Sequence, residues 1–176
     1  MATFAPLRET PFALSTPSID FRHNASPGDL EVVRRIVSAT RFFRDDEVAI
    51  AVELVDERLA KGTASGYHFV FAELDGVTAG YACYGPIACT LWSYDLFWIA
   101  VDPAYQRHGL GRKLVAESER LIREAGGRRV YLETSGKEQY APTRGFYERC
   151  GYALGAELTE FYGPGDSKLI YVKALE

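Results

Sequence analysis

The sequence predicts a mixed α/β domain with an antiparallel first half and a parallel strand pair in its second half. Asp75-Gly76, the strongest two-residue hairpin signal in the chain, joins two apolar runs and makes them antiparallel neighbours. Further along, one long amphipathic helix separates two apolar strands. Such a strand-helix-strand unit is by default a right-handed crossover between parallel strands.

The elements follow one another in the order β-α-α-β-β-β-α-β-α-β-β. Apolar residues at spacings of three and four predict the helices, and alternating, aromatic or β-branched runs predict the strands. The predicted strands are Ser18 to His23, Tyr67 to Leu74, Val77 to Tyr84, Trp92 to Val101, Arg129 to Thr134, Gly151 to Phe161 and Lys168 to Leu175. The predicted helices run from Gly28 to about Arg41, Asp45 to Gly62, Leu110 to Ala125 and Pro142 to about Cys150.

Length and composition bound the class of protein. A chain of 176 residues with 47% hydrophobic residues is too apolar for intrinsic disorder and suits one domain, predicted over residues 18–176. Residues 1–17 contain three prolines and are expected to form a loose arm. The net charge of −4 argues against nucleic acid as a partner, because polyanion binders normally carry an excess of Lys and Arg.

The cysteines and the longest uncharged run indicate a cytoplasmic protein. Cys83, Cys89 and Cys150 form neither a disulfide framework nor a zinc motif, so we interpret them as small buried side chains in a reducing compartment. The run from Gly76 to Tyr94 carries no charge and is long enough to span a bilayer. Because Gly85-Pro86 interrupts it, we predict two buried strands and no membrane partner.

The loop before the long helix is the first candidate for a binding site. It consists of Gln106-Arg107-His108-Gly109-Leu110-Gly111-Arg112-Lys113. Glycines allow a ligand to approach the backbone closely, and the free N–H groups of a first helical turn attract phosphate. The plain alternative is that these glycines only form a tight turn. The loop is neither a triphosphate loop nor a dinucleotide fingerprint, because Leu114 stands where the latter needs its third glycine.

Three short motifs, in this order along the chain, are more specific. They are Ile99-Ala100-Val101-Asp102-Pro103, Gln106-x-x-Gly109-x-Gly111 and Phe146-Tyr147-x-x-x-Gly151-Tyr152. Together they resemble the signature of the GCN5-related N-acetyltransferase (GNAT) superfamily, over about Ser18 to Leu175. The resemblance implies a mostly antiparallel twisted sheet with a parallel, splayed strand pair and helices on both faces. It also implies acetyl-CoA as co-substrate, and a homodimer, which the superfamily often forms.

The same resemblance implies how the co-substrate binds. The pyrophosphate of acetyl-CoA would lie on the loop from Arg107 to Arg112. The pantetheine would hydrogen-bond the backbone of the splayed strand, Ile99 to Val101. Many members carry an asparagine and an alanine where this chain has Tyr140 and Thr143. Tyr140 would then replace the asparagine's coenzyme contact through its hydroxyl or by packing on the pantetheine, or it is only an aromatic at the start of a helix.

Tyr147 falls on the tyrosine that many members of the superfamily use as general acid. Coenzyme A leaves as a thiolate, and a phenol with a pKa of about 10 can donate a proton to it. Spacing alone favours another interpretation, in which Tyr147 is a core aromatic of an amphipathic helix beside Phe146 and Cys150.

Two carboxylates are candidates for the general base. An alkylammonium with a pKa of about 10.4 must lose a proton before its nitrogen can attack a thioester. Glu133 in Leu132-Glu133-Thr134 resembles the glutamate base of the bacterial ribosomal-protein N-terminal acetyltransferases. Asp95 is the rival, six residues before Val101, where many members carry a glutamate. An ordered water chain could also accept the proton. Alternatively, Glu133 and Asp95 could each be an ordinary solvated strand residue.

The sequence therefore predicts transfer of an acetyl group directly from acetyl-CoA to a primary amine of a small molecule. Scattered histidines and the lack of a nucleophile motif argue against a metal and against a covalent acyl-enzyme. One alternative is a protein or peptide acetyltransferase acting on an N-terminus or a lysine. It is supported by Phe161 to Asp166, which resembles the tyrosine-rich hairpin of N-terminal amine acetyltransferases, although a plain aromatic hairpin fits equally. The other alternative is a non-catalytic acyl-CoA-binding module.

Charge is unevenly distributed along the chain. Residues 103–129 contain seven Lys and Arg against three Glu, so this segment carries +4 and the remainder −8. A basic segment suits a polyphosphate co-substrate. The acidic remainder leads to the hypothesis that a cationic amine is steered toward its pocket.

Overall fold

The computed structural model describes residues 18–106 and 109–176. The predictions for residues 1–17, and those for Arg107 and His108, lie outside the described residues. The strands are β1 (Ile19–Arg22), β2 (His68–Leu74), β3 (Val77–Pro86), β4 (Ser93–Val101), β5 (Arg129–Ser135), β6 (Ala153–Gly163) and β7 (Asp166–Ala174). The helices are α1 (Asp29–Thr40), α2 (Asp45–Lys61), α3 (Leu110–Glu124) and α4 (Ala141–Arg149). Short 3-10 turns cover Gly62–Ser65, Pro103–Tyr105 and Glu138–Tyr140.

All seven strands form one sheet in the order β1-β2-β3-β4-β5-β7-β6. Every neighbouring pair is antiparallel except β4 and β5, which are parallel and flank α3. The predicted fold class is thereby confirmed. Asp75 and Gly76 both have positive φ, 49° and 79°, as a tight hairpin requires. The uncharged run forms β3 and the start of β4, and no helix in the described part of the chain is long and apolar enough to cross a membrane.

Helices cover both faces of the sheet, and each face has its own apolar core. On one face, α3 and α4 pack against the sheet through buried residues that include Leu114, Ile122 and Tyr147. On the other face, α1 and α2 pack through Val37 and Val55. Alternate residues of a strand point to opposite faces. A side chain of a central strand can therefore be assigned to a face of the sheet by the core to which it, or its neighbour in the strand, belongs.

Strands β4 and β5 separate after a short paired stretch. Only Ser93 to Asp95 pair with Arg129 to Tyr131, although both strands continue well beyond these residues. On the other edge of β4, Cys83 pairs with Trp98 and Tyr84 pairs with Leu96, so Phe97 is an extra, bulged residue. A bulge bends a strand and increases its twist. The resulting gap between β4 and β5 beyond Asp95 is called the slot below.

Candidate active site

The backbone of β4 lines one side of the slot. Asp102 donates its N–H to the carbonyl of Ala79 on β3, at 2.8 Å. Because successive residues of a strand direct their main-chain groups to alternate edges, those of Val101 and Ile99 face the slot. Ala100 pairs with Tyr81 and directs its own groups to β3. The slot therefore offers unpaired donors and acceptors to an extended ligand.

The first turn of α3 lies at the end of the slot. Gly109 has φ of +70° and precedes the helix, a conformation that glycine adopts without strain. The N–H of Lys113 bonds to the carbonyl of Gly109 at 3.1 Å, so the N–H groups of Gly111 and Arg112 have no partner within the helix. Together with the positive end of the helix dipole, these groups suit a phosphate.

Gly111 also allows α4 to approach α3. A Cβ at this position would lie 3.3 Å from the ring of Phe146, closer than a side chain there normally tolerates. The glycine therefore serves the packing of the two helices as well as the first turn. This contact links the two motifs that contain Gly111 and Phe146.

An ion pair that sequence reasoning missed fixes the start of the same loop. Arg35 of α1 donates to the nearly buried carboxylate of Asp102 and, at 3.0 Å, to the carbonyl of Thr78. The Asp102 carboxylate also accepts the N–H of Ala104 at 3.0 Å. The chain is therefore held in place at the point where β4 turns toward α3.

Tyr147 lies in the core between α4 and the sheet. Its ring centroid is 5.4 Å from that of Phe146, 6.2 Å from Tyr152 and 6.4 Å from Tyr171. Burial raises the pKa of Tyr147 well above its usual value of 10. The phenol is therefore a packed core aromatic and, at the same time, a group that stays protonated.

Asp95 and Glu133 lie together on the opposite face of the sheet. Leu132 belongs to the core under α3 and α4, so Tyr131 and Glu133 point to the other face. Asp95 pairs with Tyr131 and shares that face. Burial and the nearby charge of Glu133 raise the pKa of Asp95, while the charge of Lys168 lowers it. The two rival base candidates thus belong to one group of charges beside the slot.

Lys168 is the third member of this group, and sequence reasoning missed it. Its Nζ is 2.5 Å from Oε1 of Glu133 and 4.5 Å from the centroid of the Phe161 ring. The Lys168 side chain is 14% exposed, whereas that of Glu133 is 50% exposed. Lys168 pairs with Ser135, two residues beyond Glu133 on the neighbouring strand. Only this register, which no local pattern encodes, brings the lysine to the carboxylate.

Two pairs of aromatic side chains lie in this part of the molecule, and one of them contacts Lys168. The ring of Phe42, in the connection between α1 and α2, lies 6.1 Å from that of Tyr140, and the rings of Phe161 and Tyr162 are 5.1 Å apart. Burial, followed by the charges of Glu133 and other acidic groups, raises the pKa of Tyr162. Phe42, Phe161 and Tyr162 are each about half exposed. We call this surface the open face: Asp95, Glu133 and Lys168 with the four aromatic residues.

Comparison with known proteins identifies the family. The model described as the acetyltransferase (GNAT) family matches residues 33–152, more than half of the chain. The chain belongs to the GNAT acetyltransferase family. The family, the enzyme class and acetyl-CoA as co-substrate, all predicted from the three motifs, are thereby confirmed.

Three relatives of this GNAT protein illustrate the range of the family. A GNAT-family protein from Desulfovibrio desulfuricans is 51% identical, with a TM-score of 0.89 over 90% of this chain and 100% of that one. The N-alpha-acetyltransferase RimI of Mycobacterium tuberculosis is 42% identical over 67 residues, 38% of this chain and 40% of RimI. Blasticidin-S acetyltransferase of Streptomyces morookaense is 34% identical over 109 residues, 56% of this chain and 76% of that protein.

Proposed function

We propose that the protein is an N-acetyltransferase that transfers an acetyl group directly from acetyl-CoA to a primary amine of a small molecule. The observation that carries this proposal is the slot between β4 and β5. Tyr147 lies in the core on one side of the sheet, and Asp95 and Glu133 lie on the other side. A thioester in the slot would meet the amine from the open face and the proton donor from the face under α4.

The co-substrate side of the proposal rests on the backbone. The main-chain groups of Ile99 and Val101 would hydrogen-bond the pantetheine along the slot. The first turn of α3, from Gly109 to Arg112, would hold the pyrophosphate, and the preceding Arg107 and His108 belong to the same loop. The left-handed conformation of Gly109 and the N–H groups of that turn, which have no partner within the helix, support this assignment.

The acceptor side rests on the two carboxylates. Glu133 or Asp95 receives a proton from the ammonium group, directly or through water, and the freed nitrogen attacks the carbonyl carbon of the thioester. The carbon–sulfur bond then breaks, and Tyr147 donates its proton to the departing thiolate. Tyr140 contacts Phe42 on the open face, so we propose that it shapes the acceptor pocket rather than replacing the coenzyme contact of the family's asparagine.

The open face indicates the class of amine. Asp95 and Glu133 against Lys168 leave one net negative charge, which matches one alkylammonium group. Aromatic rings that flank this charge favour an acceptor with a flat or apolar body. Blasticidin-S acetyltransferase, by its name, acts on a small molecule, and its similarity to this chain supports a small-molecule acceptor.

A peptide N-terminus is the second candidate acceptor. RimI, by its name an N-alpha-acetyltransferase, is 42% identical to this chain over 67 residues, and this similarity supports the second candidate. The exposed rings of Phe161 and Tyr162 in the β6–β7 hairpin would suit the side chains of a peptide. The two candidates differ in the acceptor and share the chemistry at the slot.

An amine panel tests the proposal. The protein is mixed with acetyl-CoA and with small cationic amines, small neutral amines or short peptides with free N-termini, and the release of coenzyme A thiol is measured. We expect small cationic amines to give the highest kcat/KM, and higher salt to raise their KM because exposed charges are screened. Higher values with peptides would establish the second candidate. If acetyl-CoA binds but no amine releases thiol, the protein is a non-catalytic acyl-CoA-binding module.

A further inference from the structure

The open face already holds an ammonium group that belongs to the chain itself. Lys168 Nζ lies between a carboxylate oxygen of Glu133, at 2.5 Å, and the ring of Phe161, at 4.5 Å from its centroid. A carboxylate on one side and an aromatic ring on the other are the groups that bind an alkylammonium ion. Lys168 is therefore held as an amine substrate would be.

We propose that Lys168 is an internal acceptor, so that the protein transfers an acetyl group from acetyl-CoA to its own Lys168. The inference goes beyond the proposed function, but it rests on that proposal in one respect, the position of the thioester in the slot. Acetyl-CoA is the only co-reactant needed, and the family to which the chain belongs uses it.

The register of the sheet brings Lys168 close to the slot. Only β5 separates β7 from β4. The backbone of Lys168 is level with Ser135, but its side chain extends back along β5 to Glu133, toward the paired end of β4. Its charge also acts on the carboxylate of Asp95, the last paired residue before the slot. The ammonium group thus contacts Glu133, and its charge acts on Asp95.

The backbone of Lys168 is fixed, while its side chain can leave the ion pair with Glu133 by changing rotamer. Asp166, two residues earlier, accepts a hydrogen bond from Oγ of Ser135 at 2.5 Å and pairs with Nζ of Lys137 at 3.1 Å. These contacts hold the start of β7 against β5. The four-carbon stem of Lys168 has rotatable bonds throughout, so a change of rotamer moves Nζ without disturbing the sheet.

The reaction balances with groups already described. The Glu133 carboxylate takes one proton from Nζ, and the nitrogen lone pair forms a bond to the carbonyl carbon of the thioester. The carbon–sulfur bond breaks, and its electron pair leaves on the sulfur, which takes a proton from Tyr147. The nitrogen loses a second proton as the amide forms; of the two protons lost from nitrogen, one restores Tyr147 and the other is released to solvent. In sum, the ammonium group and acetyl-CoA give acetyl-lysine, the coenzyme A thiol and one released proton.

Acetylation of Lys168 would change the charge of the open face. An acetylated lysine is neutral and no longer pairs with a carboxylate. The open face would change from one net negative charge to two, and Glu133 would be released. Self-acetylation would thus shift the acceptor preference toward amines with more positive charge.

Peptide mass spectrometry tests the inference. The full chain is incubated with acetyl-CoA without added amine and digested with trypsin, which does not cleave after acetyl-lysine. Modification joins the peptides on either side of Lys168 into Cys150–Lys173. Lys61 is the matched control for chemical acetylation, since it also pairs with a carboxylate, that of Glu57, but lies at the far end of α2.

We expect Lys168 to be acetylated at least tenfold faster than Lys61, at a first-order rate that does not change with protein concentration. In Glu133→Gln the Lys168 rate should fall to that of Lys61. Equal rates at the two lysines, or a rate proportional to protein concentration, overturn the inference. If Lys168 of the wild type is already acetylated on isolation, the Glu133→Gln variant is isolated from the same host and compared with it. Acetylation of Lys168 in both proteins overturns the inference. Acetylation in the wild type alone supports it.

The same sample separates this inference from the proposed function. Thiol released with added amines, while Lys168 stays unmodified, overturns self-acetylation and leaves the proposed function intact. Acetylated Lys168 with no turnover of any added amine supports self-acetylation and overturns the proposed function. Lys168→Arg keeps the positive charge, and in this variant the tryptic peptide that contains position 168 should gain no acetyl group.

Discussion

Arg35 of α1 and Asp102 at the end of β4 form an ion pair that links two layers of the molecule. The Asp102 side chain is 9% exposed and that of Arg35 is 44% exposed. The ion pair with the guanidinium therefore offsets most of the cost of removing the carboxylate from water. Asp102 is also the residue at which the chain turns from the slot to the first turn of α3. The pair therefore connects the stability of the fold to the geometry of the segment that leads to the proposed co-substrate site.

Replacing Arg35 tests this connection. Arg35→Ala leaves the Asp102 carboxylate with the N–H of Ala104, and we expect a loss of about 1 to 2 kcal/mol in the free energy of unfolding. The KM for acetyl-CoA should rise, because the loop loses its anchor. Arg34→Ala is the matched control, since the Arg34 side chain is 53% exposed and pairs with Glu31 at 3.6 Å. Denaturant unfolding and initial rates measure both effects, and equal behaviour of the two variants would contradict the assigned role.

Removing the hydroxyl of Tyr147 tests the general acid. Tyr147→Phe keeps the packed ring, so we expect unchanged stability and unchanged affinity for acetyl-CoA, with kcat lower by about 10²- to 10⁴-fold. Because burial raises the pKa of Tyr147, the wild-type rate should show no decline from its deprotonation near pH 10. Tyr81→Phe removes another buried hydroxyl, in the core under α1 and α2, and should keep full activity. A Tyr147→Phe variant as active as wild type would favour a structural role.

The strand and the helix start on which the proposed co-substrate site is built could be located from the sequence because they are local. Ile99 to Val101 end one strand, and Gly109 to Arg112 enter the first turn of the next α-helix, so each group is contiguous in the sequence as well as in space. The same holds for the hairpin at Asp75-Gly76, where two residues determine how two strands pair. The general positions of all four helices and seven strands followed from such local patterns.

The arrangement of the proposed acceptor half could not be predicted in this way because it depends on tertiary register. Strand β7 lies between β5 and β6, which places Lys168 beside Glu133, although 35 positions separate them along the chain. Phe42 reaches the open face from the connection between two helices of the first half. In the sequence, Lys168 resembles any surface lysine. The open choice between Asp95 and Glu133 has the same origin, since only the β4–β5 register shows that they share one face.

The pH dependence of the reaction tests the coupling of these charges. The base must be ionised, so activity is complete above its pKa and is lost as the pH falls through it. Burial and the charge of Glu133 raise the pKa of Asp95, and Lys168 lowers it. If Asp95 is the base, Glu133→Gln should move the acidic limb of the kcat profile to lower pH and Lys168→Met should move it to higher pH. Lys61→Met changes a distant charge and should leave the limb in place, and shifts of the same sign in the first two variants would contradict the coupling.

Gly109 and Gly126 lie at opposite ends of α3. Comparing alanine variants at these two positions distinguishes an effect on co-substrate binding from the general cost of backbone strain. Gly109 and Gly126 have φ of +70° and +86°, and an added Cβ at either would meet no atom within 4 Å. Alanine at either position should therefore cost about 1 kcal/mol of stability through its left-handed conformation alone.

If the first turn of α3 holds the pyrophosphate, only Gly109→Ala should weaken the binding of acetyl-CoA, because relaxation of its φ would rotate the N–H groups of that turn away from the phosphate. Calorimetric titration with acetyl-CoA measures this difference. Equal affinities in the two variants would place the pyrophosphate elsewhere.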